Sequence, residues 1–305
     1  MIPAQKRQVI RELQQQGLSL RLALDLLQMA RATFYRPGRE HPQEDGLRER
    51  ILELAHAQVS FGYRRITAVL RRQGWRVNPK RVYRLYRQME LQKPVSKKGR
   101  RGLKRPVPFE PTEAVAFGQV WAVDFVEDKL VSGRKLRILN VLDIFSRYAL
   151  GSLVEHSITG ALAARHLEAL FLRYGAPQVL RRDHGPEFES RVFKKVLMTW
   201  RVKDEPVPKA QPYDNGHLES FNGSLRNELL DAELFYALGE ARAKMESWLH
   251  WYNGERPHQS LGYQTPLEVW ETTAPLGAPV ATLPPPPEGL LGNLSHGCFK
   301  PTLVS

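Results

Sequence analysis

Residues 179 to 230 read VLRRDHGPEFESRVFKKVLMTWRVKDEPVPKAQPYDNGHLESFNGSLRNELL, and no other stretch restricts the fold as much. A short apolar approach ends at Asp183, the turn His184-Gly185-Pro186 follows, and a helix-like piece runs to Trp200. After Pro212-Tyr213-Asp214-Asn215-Gly216 a second helical piece carries Glu219, with thirty-five residues (184 to 218) between the two acids. A third acid, Asp124 in QVWAVDFV, falls mid-strand by the alternation of its neighbours. Burying an unpaired carboxylate is costly, so an acid at such a place calls for a partner or a metal ion. Glu127 and Asp128, at the end of the same run, read as surface acids.

Three carboxylates from a strand, a strand end and a helix suit a hard divalent cation. Mg²⁺ takes oxygen ligands and keeps open water positions. Two such ions about 4 Å apart can activate an attacking hydroxyl and stabilise the leaving oxygen of an in-line phosphoryl displacement. In that scheme Asp124 bridges both ions, and Asp183 and Glu219 each complete one. The candidate cofactor is Mg²⁺ or Mn²⁺, two per site. The nine histidines are scattered without the spacing of a transition-metal site.

Charge narrows the partner class. The 305 residues leave room for about two or three domains. The formal charge is +13, and it is uneven: residues 1 to 108 hold 25 Lys and Arg against 8 Asp and Glu, or +17, so the remainder carries 13 − 17 = −4. A basic arm leads a nearly neutral body. Cations that neutralise phosphates release counterions, which makes nucleic acid the leading partner class; a merely soluble basic surface is the plainer reading of the arm alone. A single cysteine, Cys298, excludes an intramolecular disulfide and argues against a cysteine-bearing zinc finger. No apolar run approaches the ~18 residues of a membrane span, and a cytoplasmic protein is expected.

Along the chain, residues 1 to 40 read as three short helices with a break at Gly17 and a cap at Ser19, a helix-turn-helix-like unit or a plain three-helix bundle. A second helical unit occupies 45 to 92, where Asn78-Pro79 is a strong helix start. In the helix it opens, Val82, Leu85, Tyr86 and Met89 can face inward while Lys80, Arg84 and Arg87 line another side, against DNA or solvent. Arg64 and Arg65, which open the preceding helix, are further candidate DNA contacts. Residues 93 to 112 form a basic linker, and 273 to 305 a Pro-rich tail that should be disordered. Between them, 113 to 272 begin with three β-rich runs and continue as alternating helix and strand, which gives a mixed α/β sheet flanked by helices. Asp143, at the end of the second run, reads as a turn acceptor or a partner for Arg147. Asn215 and Asn222 flank Glu219, and Lys209, Arg226 and His217 lie near it as candidate phosphate contacts.

These segments together carry a resemblance. The acid spacing, DHGPEF after the second Asp, YDNGHLESFNGSLRNELL around the Glu, LNVLDIFSRYALG (Leu139 to Gly151) and YNGERPHQSLGYQTPLEVW (Tyr252 to Trp270) resemble the integrase-type transposases of bacterial insertion sequences, in particular the catalytic second-frame protein of the insertion sequence three family. His184 departs from that pattern, which has Asn after the second Asp. The resemblance implies a ribonuclease H-like core with Asp124, Asp183 and Glu219 as catalytic residues. It also implies metal-dependent DNA strand cleavage and strand transfer, homo-oligomers on DNA, and a first-frame partner protein or a frameshifted fusion. The alternative is a DNA-binding protein that kept the fold without catalysis.

Overall fold

The computed structural model describes residues 3–35, 44–92, 110–208 and 216–273. Most of the basic linker, the Pro-rich tail beyond 273, Lys209 and Asn215 lie outside the described residues. The chain divides into two compact units, Met1–Arg50 and Ile51–Ser305.

The first unit contains α1 (Pro3–Gln15), α2 (Leu20–Leu26) and α3 (Arg31–Tyr35). Ser19 caps α2 by accepting from the Leu22 N–H at 3.4 Å. Helix α2 ends at Leu26, and Gln28 just beyond it takes a left-handed φ of +46°. Ile10, Ala23, Leu24 and Met29 make the small core. Lys6 and Arg7 of α1 reach the carbonyls of Leu27 and Thr33, which ties the three helices together. Helix α4 (Glu44–Ala57) then crosses the division between the units.

The second unit continues with α5 (Tyr63–Arg72) and α6 (Pro79–Gln88). Asn78 accepts from the Lys80 N–H at 2.9 Å with Pro79 at the first helical position, the start that the sequence predicts. Ile66, Leu70, Val82 and Leu85 pack between the helices, and Lys80, Arg84 and Arg87 are exposed on the other side of α6.

The sheet follows: β1 (Val120–Lys129), β2 (Lys135–Asp143), β3 (Ala149–Glu155), β4 (Val179–Arg182) and β5 (Lys203–Pro206), in the order β3-β2-β1-β4-β5. Strands β1 to β3 form an antiparallel meander joined by short turns. Strands β4 and β5 run parallel to β1 and need crossovers, which α7 (Gly160–Tyr174) and α8 (Arg191–Thr199) provide. Alternation along β1 serves two cores. Val120, Ala122 and Val126 face one side, beneath α9 (Gly216–Leu225) and α10 (Leu238–Gly254), while Trp121 and Val123 face α7, α8 and α11 (Pro266–Thr273). At one crossing a Cβ on Gly160 would collide with Ser190 Oγ, so only glycine lets α7 start against the cap of α8. The expected fold class, a mixed sheet flanked by helices and preceded by helical units, is what the chain adopts.

The segment 252 to 270 turns out to be fastening. Asn253 is fully buried, accepting from the Ala149 N–H and donating to the Ala149 carbonyl, both at 2.9 Å, so its amide completes the start of β3. Thr265 and Glu268 cap α11 reciprocally, Thr265 N–H to Glu268 Oε2 at 2.8 Å and Glu268 N–H to Thr265 Oγ1 at 3.2 Å. Trp270 then stacks on Phe117 with ring centres 4.2 Å apart. Because an unsatisfied buried backbone group costs about 1–3 kcal/mol, Asn253→Ala should lower unfolding stability by about 2–4 kcal/mol in urea titration. A loss under about 0.5 kcal/mol, the range of ordinary surface substitutions, would show that Asn253 does not hold the strand.

Candidate active site

Asp124 lies in the central strand on the face that packs against α9. In register it stands opposite Asn140 of β2, which stands opposite Ser152 of β3, so the three share one face of the sheet. A hydrogen-bonded chain links them through Asn222 of α9. Ser152 Oγ donates to Asn140 Oδ1 at 2.6 Å, Asn140 Nδ2 to Asn222 Oδ1 at 2.9 Å, and Asn222 Nδ2 to Asp124 Oδ2 at 2.9 Å. Every donor points toward the carboxylate, whose Oδ1 accepts from the Phe125 N–H at 2.8 Å. Even so, burial, followed by the charges of Asp183 and Glu219, pushes the Asp124 carboxyl up to about 6.

Asp183 follows β4 directly, and β4 runs beside β1, so it emerges level with Asp124. Its Oδ1 accepts from the Gly185 N–H at 2.9 Å, which shapes the turn. Neighbours on three sides hold that turn. The fully buried Arg182 forks onto Asp204 of β5 at 2.7 Å twice, and its remaining nitrogen donates to the Asp183 carbonyl and to Glu189. Glu187 pairs with Arg137 of β2, which lies over the Phe125 ring, and buried Phe188 stacks on Phe125 at 5.0 Å. The departure at His184 meets this network at Glu189, 3.6 Å from its Nδ1.

Glu219 is exposed in the first turn of α9, one turn before Asn222. The helix is anchored by Leu218, Phe221 and Leu225 in the core, which leaves Glu219 and Asn222 on the side of Asp124. Among the described residues no three His, Cys, Asp or Glu side chains are drawn into a finished metal shell. The three acids share an electric field rather than a single point, as mutually repelling carboxylates should.

The remaining candidates separate. Arg64, Lys80, Arg84 and Arg87 are exposed on α5 and α6. Arg65 instead turns toward the core, 3.9 Å from Glu228 and over the Phe61 ring. Asn222 is committed to Asp124. Arg226 is exposed, donating to the Glu127 carbonyl at 3.0 Å. Asp143 is the turn acceptor of its two sequence readings, taking hydrogen bonds from Ser146 and from the Gly118 N–H. Sequence reasoning missed Asn140 and Ser152. The signal was present in Asn140, a buried amide amid LRILNVLDI, which calls for a partner as Asp124 does.

Comparison with known proteins identifies the relatives of this chain. Models described as "Integrase core domain" match residues 115–212 and 201–266, and one described as "HTH-like domain" matches 42–99. The uncharacterized 31.7 kDa protein of insertion element IS407 from Burkholderia multivorans is 36% identical over 256 residues, 83% of this chain and 90% of that protein. The uncharacterized 39.2 kDa protein of insertion element IS476 from Xanthomonas euvesicatoria is 36% identical over 88% of this chain and 77% of its own length. A looser likeness reaches the solved HTLV-2 integrase catalytic core domain in complex with magnesium, 20% identical with a TM-score of 0.41, over 52% of this chain and 99% of that one. With an acid in the central strand, a second at the end of β4, a third on α9 and relatives this similar along most of its length, the chain belongs to the insertion sequence three family of integrase-core transposases.

Proposed function

We propose that this chain is a DDE-type DNA transposase, a polynucleotidyl transferase that hydrolyses a phosphodiester at an element end and then joins the freed 3′-hydroxyl to another phosphodiester. The observation that carries the reading is Asp124. A carboxylate is held part-buried in the central strand, in the field of Asp183 and Glu219, with three side chains committed to its orientation. Holding it ionised there is unfavourable for the protein alone, and a divalent cation reverses the sign of that cost.

The residues fit such a cation, since the donors are all carboxylate oxygens and soft thiolate ligands are missing. Asp124 would serve both of two Mg²⁺ or Mn²⁺ ions, with Asp183 and Glu219 serving one each. Bound there, the ions would supply charge stabilisation for the attacking and leaving oxygens of the phosphoryl displacement. The protein's own part is positional. The Ser152-Asn140-Asn222 chain fixes the Asp124 rotamer, Arg182 and Phe188 fix the Asp183 turn, and the buried face of α9 fixes Glu219.

DNA is the substrate, and the exposed Arg64, Lys80, Arg84 and Arg87 of the HTH-like segment are proposed to contact its backbone, together with Arg226 and with Lys209 and Asn215, which lie outside the described residues. A first-frame partner protein and a homo-oligomer on the DNA belong to the same reading.

Three outcomes are expected. Glu219→Gln should abolish cleavage and joining while leaving duplex affinity nearly unchanged; strand transfer at the wild-type rate by this variant would show the triple to be misassigned. Asn140→Leu, which removes the middle of the hydrogen-bonded chain but keeps an apolar strand position, should lower kcat about 10- to 100-fold with little change in DNA affinity. An unaltered kcat removes the chain from the mechanism. The third outcome concerns pH without divalent ions. The folded-state pKa of Asp124 is raised from 3.8 to about 6, so the folded chain binds this proton more tightly than the unfolded one. Its contribution is most favourable below pH 3.8 and is lost as pH rises through 6, by at most about 3 kcal/mol. Thermal unfolding between pH 4 and 7 should show that loss in wild type and a flatter profile in Asp124→Asn. Parallel profiles would remove Asp124 as its source.

A further inference from the structure

The cleft on the other side of α9 from Asp124 has no part in the function described so far. It has a volume of about 470 Å³ and is lined by Arg65 of α5, Ser220 and Ser224 of α9, and Arg256, His258 and Gln259 beyond α10. Its charges do not balance. Arg256, 2% exposed, forks onto Glu228 at 2.7 and 2.9 Å and donates to Ser224 Oγ at 3.0 Å. Arg65 approaches the same Glu228 carboxylate, which also accepts from Ser60 Oγ at 2.8 Å. Two guanidinium groups therefore share one carboxylate, and none of the residues lining the cleft is acidic.

The surplus is felt locally. Burial and then the Arg256 charge lower the Arg65 pKa. Burial and then Arg256, with Arg65 and Arg147 adding, hold the His258 imidazole down to about 3. The buried Nε2 of His258 has no hydrogen-bond partner among the described residues. Positive charge withdrawn from water without full compensation is unfavourable unless an anion arrives, and guanidinium with hydroxyl groups is the donor set that receives a phosphate.

We infer that this cleft is a binding site for one backbone phosphate of the DNA strand engaged by the active site, with Arg65 as its principal cation and Arg256, Ser220 and Gln259 around it. The inference rests on the transposase reading and adds a contact to it. Ser220 follows Glu219 on the helix, about 100° around the axis and 1.5 Å along it. A strand whose phosphate sits in the cleft therefore continues around α9 onto the face that bears the acid. Arg65 comes from the helical segment that precedes the sheet, and the core supplies the rest of the site, so the bound strand would be read by both at once. This also accounts for Arg65 turning away from the exposed row made by Arg64, Lys80, Arg84 and Arg87.

The test is a neutral-phosphate walk. Full-length protein is titrated by fluorescence anisotropy onto one fixed duplex, in which a single uncharged methylphosphonate replaces each successive phosphate of one strand and then the other. At one position the replacement should weaken wild-type binding about tenfold. The same replacement should cost Arg65→Gln nothing further. Gln259→Glu, an exposed change that leaves Glu228 and the packing alone, should lose sensitivity at that same position and lower the slope of log affinity against log salt by about 0.9. If both variants stay as sensitive as wild type at every position, the cleft holds no phosphate even though the protein binds DNA. If wild type does not bind the duplex at all, the transposase reading itself falls.

Discussion

The structure is arranged around the difficulty of keeping the Asp124 carboxylate in the middle of a sheet. Val123 before it and Val126 two residues on are buried, and its backbone pairs with Asn140 of β2. Two hydrogen bonds and a polarised run of amides oppose the desolvation without cancelling it, which is why the carboxyl stays well above the usual range. A site left with that imbalance is suited to a cation. It also has to be rigid, since a carboxylate free to swing toward water would relieve the strain and lose the geometry.

Rigidity is supplied from outside the acids. Strand β4 is four residues long and ends in two arginines, and both are buried and answered on β5: Arg181 by Glu205 at 2.8 Å and Arg182 by Asp204. Glu205 in turn accepts from the Thr112 N–H at 3.1 Å. Neither ion pair is expected to add much net stability once desolvation is counted, but both fix where the strand stops, and Asp183 is the next residue. On the other side of the sheet, α9 runs into a π-helical turn, Arg226–Leu230, that brings Glu228 around to Arg256, Ser60 and Arg65. Phe61 stacking on Trp251 and Arg72 pairing with Glu268 extend the same contact, so the helical segment from 61 to 72 is fastened to the core along its length. Position at the acids and position of this segment thus depend on one helix.

Much of this was legible in the chain itself. The acid triple, the meander, the caps at Ser19 and Asn78, and the turn role of Asp143 all depend on neighbours within a few residues or on a period that the sequence displays. The signature around Tyr252 to Trp270 was recognisable as a pattern, yet its physical task was not. Asn253 completes β3, 104 residues earlier in the chain, and Arg256 is one arm of a buried ion pair. Nothing local distinguishes such residues from ones that contact substrate.

What the sequence by itself determined, then, is the alternation that makes β1 a two-sided strand with one acid on it, the uneven charge, and the family to which the chain belongs. Only the tertiary structure decided which polar groups meet: that Asn140 and Ser152 end in the same hydrogen-bonded chain as Asn222, that Asn222 serves Asp124, and that Arg65 leaves the exposed basic row for Glu228. The physical reason is the same in each case. Strand register and helix face set the direction of every side chain from local sequence, but a hydrogen bond or ion pair needs its partner within about 3–4 Å, and for these residues only the packing of distant segments brings that partner close.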